Sequence, residues 1–169
     1  AEARMLALVA ERAALEDGQR ILDLGCGWGS FSLWAAKRYP KSRLLAVSNS
    51  KSQAEFIRRR ADRDAITNLE VVTADINVFE AGRRFDRGVS VEMFEHVRNH
   101  RQLLARIGRW LEPGGRLLVH VFRHRRYAYL FETGGAHNWM GRLFFTGGLM
   151  PSSDLLPSVP SLSPRRPRP

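Results

Sequence analysis

Residues 20–30 read RILDLGCGWGS, and the reading of this stretch decides the fold. The apolar run RILDLGC (20–26) has the length and composition of a short buried strand, and it runs into glycines rather than a polar turn. WGSFSLWAAKRY (28–39) follows with helical character and is stopped by Pro40. A strand thus passes through Gly25, Gly27 and Gly29 directly into a helix. Gly25 and Gly27 permit a tight turn and close backbone approach, and the start of a helix offers N–H groups with no partner inside the helix. A dinucleotide loop would follow G-x-G-x-x-G, but its third glycine falls on position 30, which is serine.

Working outward, strands and helices alternate. EARMLALVAERAAL reads as an N-terminal helix with Met5, Leu8, Val9 and Arg12 along one face, and no breaker intervenes before Asp17-Gly18. RLLAVSN (43–49) is a second strand, and SKSQAEFIRRRADRD a helix capped by Ser50 or Ser52. LEVVTAD (69–75) and FDRGVSVE (85–92) are strands three and four, with a helix through RQLLARIGRWL. A turn at EPGG (112–115) leads into strand five, RLLVHVF (116–122). This alternation predicts an α/β fold, a parallel sheet of about five strands with helices on both faces. Such sheets bind ligands at the carboxyl ends of their strands.

Residues 1–150 are read as one domain, with 1–17 as its N-terminal helix and 123–150 as a partial, aromatic-rich substrate-side segment. Residues 151–169 hold six of the eight prolines and are read as a disordered tail that cannot bury enough apolar surface to fold alone.

With 169 residues, 44% of them apolar, the chain can build a hydrophobic core. The single cysteine, Cys26, excludes an internal disulfide and fits a reducing compartment. Charges interrupt every apolar run, and the N-terminus lacks the order of a signal peptide, so a cytoplasmic protein is expected. The net charge of +10 comes almost wholly from arginine, 24 against 3 lysines. These residues are scattered (Arg58 to Arg60, Arg83 and Arg84, His124 to Arg126), which favours solvated surface over a dedicated anionic partner. No nucleic acid is expected as a partner, and at most peripheral membrane contact.

Candidate site residues fall where the strands end. After strand two come Ser48 and Asn49, with Gln53 a helical turn on; these can bond ribose hydroxyls or merely cap a helix. Strand three ends in Ala74-Asp75-Ile76, where a carboxylate can accept from an adenine amino group or simply close a strand. Strand four ends in VSVEMFEHVRNH (89–100). If a helix follows Val91 at once, Glu92, Glu95 and His96 share a face, and carboxylates beside an imidazole favour its protonated form. A dipole-complementing helix start is the structural alternative. The pairs His96/His100 and His120/His124, with Glu92, have metal-ligand spacing, but His100 is expected to face solvent and no metal is assigned. Cys26 reads as a buried small residue rather than a nucleophile.

The G-x-G-x-G loop after a strand-borne Asp23 resembles motif I of class I S-adenosylmethionine (SAM) methyltransferases. DLGCGWGS, AVSNSKSQAEFI, TADI, SVEMFEHV, LEPGG and FFTGGLMPS together resemble the cyclopropane-fatty-acyl-phospholipid synthase superfamily, in its coclaurine N-methyltransferase-like branch. The resemblance spans about residues 1–156. It implies a Rossmann-like class I methyltransferase fold with SAM as cofactor. Gly25 and Gly27, with Cys26 between them and Asp23 nearby, would cradle the amino-acid portion of SAM. Asn49 and Gln53, beside Ser48, would face the ribose, Asp75 and Ile76 the adenine, and Val91 the cofactor through its backbone. Glu95 and His96 would be a catalytic dyad, with Glu92 in support, acting on a small-molecule amine. In the cyclopropane synthases the matching glutamate helps hold a bicarbonate base, and His120 occupies the position of an assisting histidine; there the acceptor is an unsaturated lipid chain. The class I sheet normally has seven strands, so strands 6 and 7 are expected to be missing and the chain to be a fragment, in one reading an inactive SAM-binding remnant.

Overall fold

Five strands form the central sheet of the computed structural model, in the order β3-β2-β1-β4-β5. The structure describes residues 1–132 and 147–158. The strands are β1 (Arg20–Leu24), β2 (Arg43–Ser48), β3 (Leu69–Thr73), β4 (Phe85–Val91) and β5 (Leu111–His120). β1 pairs in parallel with both β2 and β4, and β2 in parallel with β3. Helices α1 (Glu2–Arg12), α2 (Ser30–Arg38) and α3 (Lys51–Arg63) intervene as the alternation predicts. β1 and β2 are buried from their second residues onward, so both of their faces are covered, as in a parallel sheet.

The chain divides into two compact units. One comprises Ala1–Val91 and Trp110–Val119; the other comprises Glu92–Arg109 and the described residues from His120 onward. The first unit is built around two clusters. Ile21, Phe31, Ala35, Leu44 and Val89 pack with α1 residues, while Ala46, Ala54, Ile57 and Val71 pack with Cys26. In α1 the buried face is Leu6, Val9 and Ala10, followed by Ala13; Met5 and Leu8 stay exposed. The expected stripe through Met5 and Leu8 is therefore rotated, because the i, i+3, i+4, i+7 series beginning at Leu6 ends in alanines that allow close approach.

At the start of α2, Gly29 is the N-cap with φ +81°. A Cβ there would lie 2.6 Å from Ile57 Cγ1 on α3. Both the left-handed backbone and the contact therefore demand glycine. Gly29→Ala is expected to destabilise the chain by about 2–4 kcal/mol, adding left-handed strain to overpacking. Urea unfolding measures this, and in an Ile57→Ala background the same substitution should cost only the left-handed strain, about 1–2 kcal/mol.

The predicted cap of α3 is Ser50, whose hydroxyl accepts from Gln53 N at 3.4 Å. EPGG, expected as a turn ahead of strand five, lies inside β5; its bend survives in Gly114, at φ +82°. Part of the basic surplus is used locally: Lys37, Arg60 and Arg63 converge on Asp64, Arg83 meets Glu70, and Arg20 bridges Asp86 and Glu112.

The second unit opens with a single 3-10 turn (Phe94–His96), then most of α4 (His100–Trp110), whose Leu103 and Ile107 are buried. β6 (Tyr129–Leu130) and β7 (Leu149–Met150) form a separate antiparallel pair. Among the described residues no sixth or seventh strand joins the main sheet. Of the segment read as a tail, residues 151–158 are described: Pro151 is buried, its carbonyl accepts from His124 N at 2.9 Å, and Leu155–Ser158 form a short helix, α5. Residues 159–169, and the aromatics Trp139, Phe144 and Phe145, lie outside the described residues.

Candidate functional site

Four strand exits of the first unit are tied into one edge. The N–H groups of Gly25 and Cys26 both donate to Val47 O at 3.0 Å, which seats the glycine loop on the end of β2. Ala74 N donates to Ser48 O at 2.8 Å, joining the exit of β3 to the same place. Ser90, fully buried near the end of β4, donates its hydroxyl to Leu24 O at 3.0 Å. The loop, Ser48-Asn49, Ala74-Asp75 and Val91 therefore border one carboxyl edge. Gly27 takes φ +54°, and a Cβ added there would meet nothing within 4 Å, so the loop has an open side. A polar ligand can approach the backbone there.

Asp23 lies within β1, 2% exposed, and its carboxylate accepts a hydrogen bond from the Ser32 hydroxyl. Burial pushes its pKa up to about 6, against a smaller lowering by Ser32. Cys26 is buried in the loop; desolvation first, then the charge of Asp23, push its thiol up to about 12. A thiol so held stays protonated and is a poor nucleophile.

The residues expected at the ribose are arranged among themselves. Ser48, buried, donates to Gln53 Oε1 at 2.8 Å and accepts from Ser50 N at 3.1 Å, while Asn49 is exposed. Gln53 is thereby oriented by Ser48 rather than by an acidic group. Asp75, exposed, is engaged in its own turn: Oδ1 accepts from both N and Nδ2 of Asn77 at 2.8 Å, and its carbonyl accepts from Val78 and Phe79. Ile76 beside it is half-buried, as is Val91.

The second unit holds the acid–base candidates, and no α-helix follows Val91. Glu92 has φ +55°, a left-handed conformation rare outside glycine, and its N–H donates to the carbonyl of His120 at 2.8 Å. That kink takes Glu92 out of any shared helical face, so the expected i, i+3, i+4 alignment does not form. Strain of this kind gathers at functional positions. Glu92→Gly is expected to raise stability by about 1 kcal/mol in chemical denaturation, since glycine occupies the same backbone without penalty.

Glu95 and His96 diverge. Glu95 is fully buried; its Oε1 accepts from Phe122 N at 2.5 Å, and its Oε2 is buried without a partner. His96 is exposed at the end of the turn. His100, expected in solvent, is 4% exposed instead: its Nε2 donates to Phe94 O at 2.8 Å, and its ring tilts against Phe94, 5.7 Å away. The physical reason is that α4 begins at His100, so its first side chain folds back under the turn that carries Glu95. His120 is exposed, and His124 stacks on Tyr127 at 5.5 Å. Among the described residues no group of three His, Cys, Asp or Glu is placed to hold a metal ion. Among them, also, no helix is long and apolar enough to cross a membrane.

Ser32, Ser90 and the Glu95–Phe122 link went unseen in the sequence. A serine that bonds a carboxylate from a helix, or a carbonyl of the neighbouring strand, leaves no local pattern. Ser50, by contrast, is readable as a cap candidate, with Ser52, because a serine ahead of a helix is a local signal.

The described family "Mycolic acid cyclopropane synthetase" matches residues 1–160. The (S)-coclaurine N-methyltransferase of Thalictrum flavum subsp. glaucum is 40% identical over 150 residues, covering 89% of this chain and 42% of that protein. The cyclopropane-fatty-acyl-phospholipid synthase of Escherichia coli K12 is 31% identical over 154 residues, covering 90% of this chain and 37% of the enzyme. The crystal structure of coclaurine N-methyltransferase bound to N-methylheliamine and SAH superposes with a TM-score of 0.86 at 35% identity, over 94% of this chain and 48% of that one. The chain thus spans less than half the length of these relatives. A parallel sheet, a strand–glycine-loop–helix start and a family match along nearly the whole chain lead to one assignment: the chain belongs to the mycolic acid cyclopropane synthetase family.

Proposed function

We propose that the protein binds SAM along the carboxyl edge of its sheet and transfers the methyl group to a small-molecule amine. The observation that carries the chemistry is Glu95: a fully buried carboxylate with Oε1 fixed by Phe122 N–H and Oε2 without a partner. A buried, unsatisfied carboxylate oxygen is costly unless a ligand proton or cation completes it.

The residues of the first unit fit the cofactor. Gly25, Cys26 and Gly27 offer a loop open on one side, and Asp23 supplies a buried negative charge for a cationic ligand. Asn49 and the Ser48-oriented Gln53 present neutral polar groups to a ribose, and Asp75, Ile76 and Val91 border the space for an adenine. When bound, SAM supplies a methyl group already activated by its sulfonium, so the protein's share is positioning and dryness.

An amine attacks only when neutral. Glu95 accepts the amine's hydrogen bond at Oε2, and its second oxygen is held still by the Phe122 amide. His96, at the end of the same turn, takes up the proton and passes it to solvent, for which its exposure suits it. Because the two side chains diverge, they act on the acceptor separately rather than as a relay. The coclaurine N-methyltransferase relative, at 40% identity, supports an amine acceptor.

The Glu95–Phe122 bond also ties Glu95 to a residue two positions after His120, and that supports one second reading: a cyclopropane synthase in which Glu95 helps hold a bicarbonate base. Incubating the chain with methyl-labelled SAM and either an amine panel or vesicles of unsaturated phospholipid separates the two. Label in an amine product is expected. Label only in lipid establishes the second reading, and SAM binding without transfer to either acceptor reduces the chain to a binding domain.

A further inference from the structure

We infer that Ser32 is a positioning residue for the cofactor: its hydroxyl holds the buried Asp23 carboxylate ionised beside the glycine loop, so that cofactor capture is lost when Asp23 takes up a proton. The inference rests on the proposed SAM site. Its ground is geometric. Asp23 sits in the middle of β1, flanked in register by Ala46 of β2 and Val89 of β4, neither of which carries a charge. α2 faces it with Ser32, itself 0% exposed in the first turn, while the basic residues of α2, Lys37 and Arg38, lie in its last turn. From the loop, the titratable neighbour is the Cys26 thiol, which is neutral. Among the described ion pairs none includes Asp23.

Among the described residues, the carboxylate has one neutral donor, Ser32, and no cation. Charge is rarely buried without a partner: the group takes up a proton, or a cation completes it. The ammonium of the amino-acid portion of SAM, shared by S-adenosylhomocysteine (SAH), is a cation of the right class. Binding it pulls the proton from Asp23, so affinity is linked to pH. The sign follows from the shifts: burial raises Asp23 to about 6, and Ser32 acts against that rise. Without the hydroxyl, Asp23 climbs further, and the pH below which the cofactor is lost moves up.

The test is calorimetric titration with SAH from pH 5 to 9. For the natural chain, affinity should be flat above about pH 7 and fall by up to roughly tenfold per pH unit below about 6. In Ser32→Ala the break should move up by about one pH unit, with about twofold weaker binding at pH 7, a difference approaching tenfold at pH 5, and recovery by pH 8. Ser32→Thr, which keeps the hydroxyl, should restore the natural profile. SAH binding without a break in the natural chain, or a break unmoved in Ser32→Ala, overturns the inference while leaving the cofactor reading intact. No SAH binding at any pH by the folded natural chain overturns the cofactor reading itself. Should Ser32→Ala not fold, NMR titration of the Asp23 carboxyl carbon in the natural chain decides: a pKa near 6 upholds the buried-anion basis, and one near 4 removes it.

Discussion

Replacing Asp23 with asparagine should make the protein more stable and less able to hold its cofactor. The carboxylate titrates near 6 in the fold, against 3.8 in the unfolded chain, because burial disfavours its charge. For a group raised in this way, the stabilising contribution is fully present below the unfolded pKa and is lost as pH rises through the folded value. At pH 8 the ionised side chain therefore costs up to about 3 kcal/mol, the product of roughly two pKa units and 1.36 kcal/mol each. With only 2% of Asp23 exposed, solvent screens little of this. Asp23→Asn removes the charge and keeps an amide oxygen able to accept from Ser32. Urea unfolding at pH 8 should show a gain of about 2–3 kcal/mol that disappears near pH 3.5. SAH affinity of the same variant should fall at least tenfold. A residue retained against its own cost in stability is the expected signature of a site rather than of packing.

Glu95→Gln should separate chemistry from structure at the strand-four exit. Glutamine keeps an oxygen to accept from Phe122 N but puts an amide nitrogen where Oε2 would accept from the amine, so folding and SAH affinity should stay as they are. Transfer to an amine should fall by about 10²–10³-fold, the range for removing one preorganised group that meets the charge developing on the acceptor. Glu95→Ala should also unfold more easily, by about 1–3 kcal/mol, because the part-buried bond from Phe122 N–H to a carboxylate is lost. His96→Ala, at an exposed position, should lower turnover while leaving SAH affinity as it is. Normal methylation by both Glu95→Gln and His96→Ala would show that neither residue handles the acceptor's proton.

Sequence pattern reached the sheet because it is written in local order: apolar runs of strand length, glycines after β1, a serine ahead of α3. It also placed Ser48, Asn49, Asp75 and Val91 at one edge, since parallel topology sends every strand exit to the same side. It failed where the outcome depends on tertiary contacts. Glu92 breaks the helix expected after Val91 because its amide is taken by the carbonyl of His120, 28 residues on in a strand no local pattern connects to it. His100 is buried because Phe94 O accepts from it, and the position of His100 at the head of α4 was not foreseeable from its arginine neighbour. Met5 and Leu8 look like core on a helical wheel, yet the smaller Ala10 and Ala13 define the packed face.

Titrating the 169-residue chain with SAH and, separately, with NAD at pH 8 bears most directly on what the strand–glycine-loop–helix unit is for. Saturable binding of SAH with no heat from NAD is the expected result. Binding of NAD alone would mean that Gly25, Gly27 and Asp23 serve a dinucleotide, and that the methyltransferase reading is wrong.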